Sequence, residues 1–265
     1  MLRGGVVFLL CLLIFSCSVF AQKSYWVASG ETIFSYGQVD ADSTDIKPVL
    51  RFSPVFNLQQ QHHYDFSNRI GCYIGLGIRN VGLISHVNYD VFDSGNGNTI
   101  NKEVTIKERS YSLGLPVALK LGDLDKSIYF AIGGEAELMF AYKRKIIDGD
   151  TKRKNPGWFD DRTTLFNPSL FVEIKFAKGQ YVRFKYYLLD FLNYKGITLI
   201  DGATFPDYGK KSSLFYVSFG TLKKEHPKKT NAAPEKKTTV AWFKGSRKKN
   251  LNPAPMSNSF SSSVQ

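Results

Sequence analysis

The connections between the alternating apolar runs of this chain differ in length by turns, long then short, and this constrains the fold more than any motif does. A polar run, Gly37 to Pro48, follows the first candidate strand, and a compact turn, His62 to Asn68, follows the second. Then come a long Leu83 to Lys107, a tight Gly122 to Lys126, a long Lys145 to Thr163, a tight Lys178 to Gln180 and a long Asp190 to Lys211. A barrel that crosses an outer membrane sorts its connections in this way, with short turns on one side and long loops on the other. A soluble sandwich has no reason to do so.

Between these connections the period is two, the repeat of a strand with different faces. From Ser127 to Lys143 one face reads Ile128, Phe130, Ile132, Gly134, Ala136, Leu138, Phe140 and Tyr142, and the other carries Glu135 and Glu137. Val182, Phe184, Tyr186 and Leu188 alternate with Tyr181, Arg183, Lys185 and Tyr187, and Leu170, Val172, Ile174 and Phe176 with Glu173 and Lys175. The runs from Leu50, from Ile70 and from Tyr111 behave alike. The first strand is placed at Ser24 to Tyr36 and the last at Leu214 to Leu222. Together they make about eight strands of roughly ten residues, enough for a tilted strand to cross a bilayer. Pro54 and Pro116 cannot donate to a ladder, and they mark bulges or strand ends.

Alternation alone does not say which face points inward. A soluble ligand-binding barrel places the apolar face inside, and a membrane barrel places it outside. Three features favour the second arrangement. The charged face also carries Gly71, Gly75, Gly77, Gly114 and Gly133, which suits a narrow lumen filled by a few long side chains. The other face is bulky and nearly free of charge. Tyr25, Trp26, Tyr36, Tyr111, Tyr142, Tyr187 and Phe219 lie near strand ends, where aromatic girdles form. The expected fold is an all-β, eight-stranded antiparallel up-and-down transmembrane β-barrel with a disordered basic C-terminal tail.

The N-terminal residues set the expected compartment. Arg3, the apolar run Val6 to Phe15 and the small residues of Val19-Phe20-Ala21 read as a signal peptide over 1–21, cleaved near Ala21-Gln22. Cys17 as an acylated lipoprotein residue is the competing reading, and Phe15 fits it poorly. Cys11 and Cys17 leave with the signal, so Cys72 remains as a small hydrophobe with no intramolecular disulfide to form. Of the net charge of +12, about +8 lies in 223–265, from ten lysines and arginines against Glu225 and Glu235, and about +3 in the barrel region 22–222. The tail has the composition of a disordered segment and no nucleic-acid motif, so no nucleic-acid partner is expected.

At this point the residues resemble a known group. The signal ending in Ala21-Gln22, VLRFSPVFNL from Val49, GCYIGLGIRNVG from Gly71 and SLGLPVALKLG from Ser112 are similar to the small outer-membrane β-barrel family of Gram-negative bacteria. That group includes PorT-like proteins and, more distantly, OmpX- and OmpA-like barrels. The resemblance covers about residues 24 to 222 and implies the outer membrane as location. It implies no activity, and the tail falls outside it.

The inward face is expected to carry a lumen ion-pair network of Glu31, Arg51, Arg79, Lys120, Glu135, Glu137, Glu173, Lys175, Arg183 and Lys185, because buried charges must be paired. Glu135 and Glu137 could also be read as a catalytic carboxylate pair, but a plugged lumen offers substrate no route. His62-His63 is placed in a turn, and His86, Asp90 and Asp93 in the second long connection, with no motif that makes either a metal or catalytic site. Lys152, Arg153, Lys154, Trp158 and Phe159, beside Asp160, Asp161 and Arg162, form a mixed charged and aromatic loop suited to contact with lipopolysaccharide, a ligand or a partner protein. No catalytic residue, metal or cofactor is expected. The expected partners are outer-membrane lipid and, through the basic tail, a periplasmic protein or peptidoglycan. A non-enzymatic structural or interaction role is favoured, with an accessory part in secretion or envelope assembly as one form of it. A small channel, a lipid-modifying enzyme and a soluble ligand-binding barrel are the alternatives.

Overall fold

The computed structural model describes residues 22–41, 45–93, 97–193 and 195–224. The expected signal peptide and the tail beyond Lys224 lie outside the described residues. The elements are β1 (Lys23–Asp40), β2 (Asp45–Val49), β3 (Arg51–Ser53), β4 (Leu58–Asp65), β5 (Ile70–Asp93), β6 (Asn98–Asp123), β7 (Ile128–Asp148), β8 (Thr151–Trp158), β9 (Phe166–Lys175), β10 (Gln180–Tyr187), β11 (Ile197–Thr198), β12 (Thr204–Phe205) and β13 (Lys211–Lys224). The ring runs β13-β10-β9-β7-β6-β5-β4-β1 and closes through β1 and β13, antiparallel throughout. Segments β2 to β4 share one position in it and β8 and β9 share another, which makes an eight-stranded barrel. Gln22, Lys224 and the tight turns after β4, β6 and β9 lie at one end, because Val27 pairs with Lys224 and the Gln22 amide donates to the Asp65 carbonyl.

Polarity is inverted around the lower half of this ring. Leu113, Leu115, Val117, Leu119 and Leu121 of β6 are exposed, as are Ile128, Phe130 and Ile132 of β7 and Leu170 and Ile174 of β9. Their neighbours in sequence, Lys120, Glu135, Glu137, Glu173, Arg183 and Lys185, are buried. Strand parity produces both faces at once, since successive side chains point to opposite sides.

Several segments expected to be loops are strands. β5 and β6 pair from Ile84 opposite Lys107 to Asp93 opposite Asn98, so most of Leu83 to Lys107 is a long hairpin. Lys145 to Trp158 pairs as the β7–β8 hairpin, Gly37 to Asp40 completes β1, and His62 and His63 belong to β4 rather than to a turn. The cause is a reversal of phase. Above the belt the inward face becomes apolar, with Val81, Leu83, Val87, Val104 and Ile106 buried, while the outward face turns charged. A search for apolar residues facing outward takes such a stretch for a loop.

Two irregularities act on this pattern. β7 carries an extra residue at Phe140, since Tyr111 faces Ala141 while Ser112 faces Met139. Parity shifts there, and Tyr142, expected on the outer face, points inward with Arg144 and Ile146. Pro116 stands inside β6 rather than at a strand end, and β5–β6 pairing lapses between Ile74–Val117 and Gly77–Gly114, as a residue without an N–H requires. Pro54 lies where the chain leaves β3. Tyr25 and Tyr187, expected in a girdle, also face inward; Trp26, Tyr36, Tyr111 and Phe219 face out.

The last connection folds into the upper mouth. Phe191, Leu192, Ile197, Leu199 and Tyr208 are buried against Ile33, Val39, Leu83, Val104, Tyr142 and Leu214. At its rim the Tyr89 hydroxyl and the Lys102 ammonium donate to Asp201, and Lys102 also reaches Asp148 at 2.7 Å. Burial pushes the Asp201 carboxyl up, but the bonds from Tyr89, the Ala203 amide and Lys102 outweigh it and hold the group below the ordinary carboxylate range. A depressed acid stabilises the folded form above its unfolded value of ~3.9 and loses that contribution as pH falls through the folded value. Protection of the Leu199 amide, which donates to Ala203, is therefore expected to stay level from pH 8 to about 5 and to fall below about pH 4. Hydrogen exchange corrected for its intrinsic pH dependence measures this, and unchanged protection at pH 3 would refute the role of Asp201.

Candidate functional site

The waist of the lumen is filled by charge. Arg79, from the middle of β5, donates through Nε to Glu31 at 2.7 Å, through Nη2 to Gln59 at 2.7 Å and through Nη1 to Glu135. Arg183 of β10 donates to Glu173 at 2.6 Å and to Gln59 at 3.0 Å, and it stands 3.7 Å from Glu31. Lys185 donates to Glu135 at 2.7 Å and to Glu137, which also accepts from Ser112 and from the Tyr187 hydroxyl. Ser218 and Tyr181 donate to Glu31. Seven of the ten residues expected in the lumen network thus form one connected cluster.

The other three stand apart. Lys120 reaches Asp65 and lies 3.1 Å from His63 Nδ1 near the short-turn end. Lys175 lies over the Tyr129 ring and donates to the Ser127 carbonyl at 3.4 Å. Arg51 donates to the Asn80 side chain at 2.6 Å, and no carboxylate pairs with it among the described residues. A second cluster was missed in the sequence. Glu108 accepts from Arg144 at 2.7 Å, from Tyr142 at 2.7 Å and from Tyr208 at 2.9 Å. The bulge at Phe140 hid it by turning Arg144 and Tyr142 inward.

Small residues make room for these pairs. A Cβ on Gly114 would land on the Glu135 carboxylate, and one on Gly133 would meet Ala118 and the Phe171 ring. Arg79, Arg183, Tyr73, Tyr181, Lys185 and Tyr216 are among the largest fully buried side chains. The cross-section is therefore occupied by protein. Glu135 and Glu137 are both held by Lys185.

The histidines are equally engaged. His63 lies inside between Tyr25 and Tyr73, and His62 stacks on Trp26 outside, with ring centroids 4.4 Å apart. His86 lies 3.1 Å from Glu103, and Asp90 accepts from Asn101; the Asp93 side chain is outside the described residues. The contact loop is divided. Lys152, Arg153 and Lys154 lie on exposed β8, with Arg153 donating to the Thr198 carbonyl. Trp158 is 74% exposed, and Phe159 is also exposed. Asp160 pairs with Arg162, and Asp161 with Lys195 at 2.9 Å.

Fold and lumen together define a closed, inverted-polarity β-barrel. No protein-family model and no curated protein matches the chain. Solved structures similar to it include Ail, the attachment invasion locus protein of Yersinia pestis, at 9% identity over 75% of this chain and 99% of Ail, with a TM-score of 0.31. A second Ail structure, in complex with the heparin analogue sucrose octasulfate, matches at 10% identity over 74% and 99%, with a TM-score of 0.27. The outer membrane protein OprG from Pseudomonas aeruginosa matches at 9% identity over 77% and 98%, with a TM-score of 0.30. Likenesses of this size carry no weight for function, which rests on the residues of the barrel itself.

Removing Arg79 takes from Glu31 its close cationic partner and leaves Glu135 with Lys185 alone among its cations, a loss of about 3–5 kcal/mol for a broken buried pair. The Arg79→Ala protein is expected to unfold at clearly lower urea or temperature in lipid than the parent. An unchanged midpoint would show that the cluster is not what holds the waist.

Proposed function

We propose that this chain is a non-enzymatic outer-membrane β-barrel with a structural or interaction role rather than a transport role. One observation carries the reading: an apolar outer belt surrounds a lumen packed with paired charges. In water such a belt would be a large exposed apolar surface, whereas in hydrocarbon it is the favoured exterior. Between Tyr111 and Leu121 the outward residues of β6 cover about eleven positions, close to the ~9–11 of a tilted spanning strand.

The filled waist and the apolar cap at the mouth argue against the channel alternative. His86 and Asp90, each bonded to a different residue of β6, give the enzyme alternative no assembled site. Short turns and both described chain ends on one side suit a periplasmic orientation for that side. The basic tail would then meet peptidoglycan carboxylates or a periplasmic protein by charge attraction. An accessory part in secretion or envelope assembly is one form such an interaction role would take.

The test is fractionation combined with heat-modifiable migration and planar-bilayer conductance. The expected result is sedimentation with the outer membrane, a shift between unheated and boiled samples, and conductance near zero. Stable open-channel currents would restore the transport reading, and a protein found soluble in the periplasm would overturn the membrane reading.

A further inference from the structure

Outward positions just above the apolar belt carry basic residues on three adjacent strands. On β6 they are Lys107 and Arg109, on β7 Lys143 and Lys145, and on β8 Lys154. The register sets Lys107 opposite Lys145, Lys145 opposite Lys154, and Arg109 opposite Lys143. Like charges directly opposite one another destabilise a sheet. None of the five forms an ion pair among the described residues, while Glu108, between Lys107 and Arg109 in sequence, turns its carboxylate inward to Arg144. Desolvation and the charges of Lys152, Lys107, Lys154 and Lys143 push the Lys145 ammonium below the ordinary lysine value.

Directly beneath lies a row of outer-face aromatic rings. Phe56, Tyr111, Phe140 and Trp158 follow one another at centroid distances of 6.0, 6.5 and 6.0 Å, and the Arg109 guanidinium sits over Tyr111 at 5.6 Å. Beside Phe52 and Ile84 the basic residues line a groove of about 380 Å³. The wall thus descends from uncompensated positive charge, through aromatic rings, to aliphatic side chains, with no change of strand.

We infer that this wall is a binding site for an anionic lipid whose phosphates sit immediately above its acyl chains. A phosphorylated glycolipid of the outer leaflet has that order of chemistry. Its phosphates supply the missing counter-charge to Lys107, Lys145, Lys154, Lys143 and Arg109, and its chains lie on Leu113 and Leu138 below. A soluble polyanion would satisfy the charges and leave the aromatic row and belt without a role. The inference rests on the membrane reading above and gives it a lipid class and a side.

The test uses the full chain folded into phosphatidylcholine nanodiscs doped with bis-phosphorylated lipid A, with retained lipid A counted after repurification. The parent protein is expected to retain it. K107Q/K145Q/K154Q should bind it roughly a hundredfold more weakly, since each of the three basic residues near a charged lipid surface contributes about 1 kcal/mol. K107R/K145R/K154R should keep the lipid, and lipid A stripped of its phosphates should not be retained. In phosphatidylcholine alone the glutamine variant should resist heating at least as well as the parent, because like-charge repulsion has been removed. Equal retention by the glutamine variant, or a loss of its stability without anionic lipid, would overturn the site. So would heparin oligosaccharide binding through these lysines with no retention of lipid A, which would mark a site for a soluble polyanion. Failure of the parent to show a heat-modifiable form in phosphatidylcholine would overturn the membrane reading, and the lipid site with it.

Discussion

Pairing of the charges at the waist is the condition on which the barrel rests. Two guanidiniums and an ammonium, those of Arg79, Arg183 and Lys185, meet the carboxylates of Glu31, Glu135, Glu137 and Glu173 inside a narrow ring. Desolvating any of these alone would cost several kcal/mol. Their partners come from β1, β5, β7, β9 and β10, so the network forms only when the ring is closed and in register. A slip of one residue on any of these strands would turn a charge toward the belt and an aliphatic side chain toward the lumen. The cluster thus selects the register as well as filling the space, and Gly114 fits that selection because a larger residue there would displace Glu135.

The strands run on past the belt and, apart from the shift at Phe140 on β7, keep their parity while their chemistry reverses. Below, Lys120 and Glu135 face inward and Leu119 and Ala136 face out. Above, Val104 and Ile106 face inward and Lys107 and Arg109 face out. One set of strands therefore encloses two cores of opposite kind, an ionic one at the waist and an apolar one at the mouth. Glu108, Arg144, Tyr142 and Tyr208 join them as a small polar cluster.

How far the sequence revealed this depended on whether alternation kept its phase. The runs from Ile70, Ser112, Leu170 and Tyr181 showed an apolar outer face, and the barrel and most of its lumen charges followed from them. The β5–β6 and β7–β8 hairpins escaped notice because their outward residues are charged, which resembles a loop when hydrophobicity is the guide. Alternation puts Tyr142 on the wrong side because the extra residue at Phe140 leaves no composition signal. Alternation places Arg51, Lys120 and Lys175 with the central cluster, since it gives a side chain its face but not its height. Asp65 sits in a run, His62 to Asn68, that reads as a turn, so the sequence does not show its pairing with Lys120.

The two stacked cores answer to different solvents, and heat capacity separates them. Opening the belt within lipid exposes its aliphatic side chains to hydrocarbon they already face, and such a change carries little hydration signature. Opening the mouth exposes Phe191, Leu192, Ile197, Leu199 and their partners to water. Apolar hydration is the source of the positive heat-capacity change of unfolding. In a bilayer, the curvature of this barrel's stability with temperature therefore belongs mainly to the capped mouth, while the ionic waist contributes a flatter background. The capped mouth is the part of the molecule that would behave, thermally, as a soluble protein.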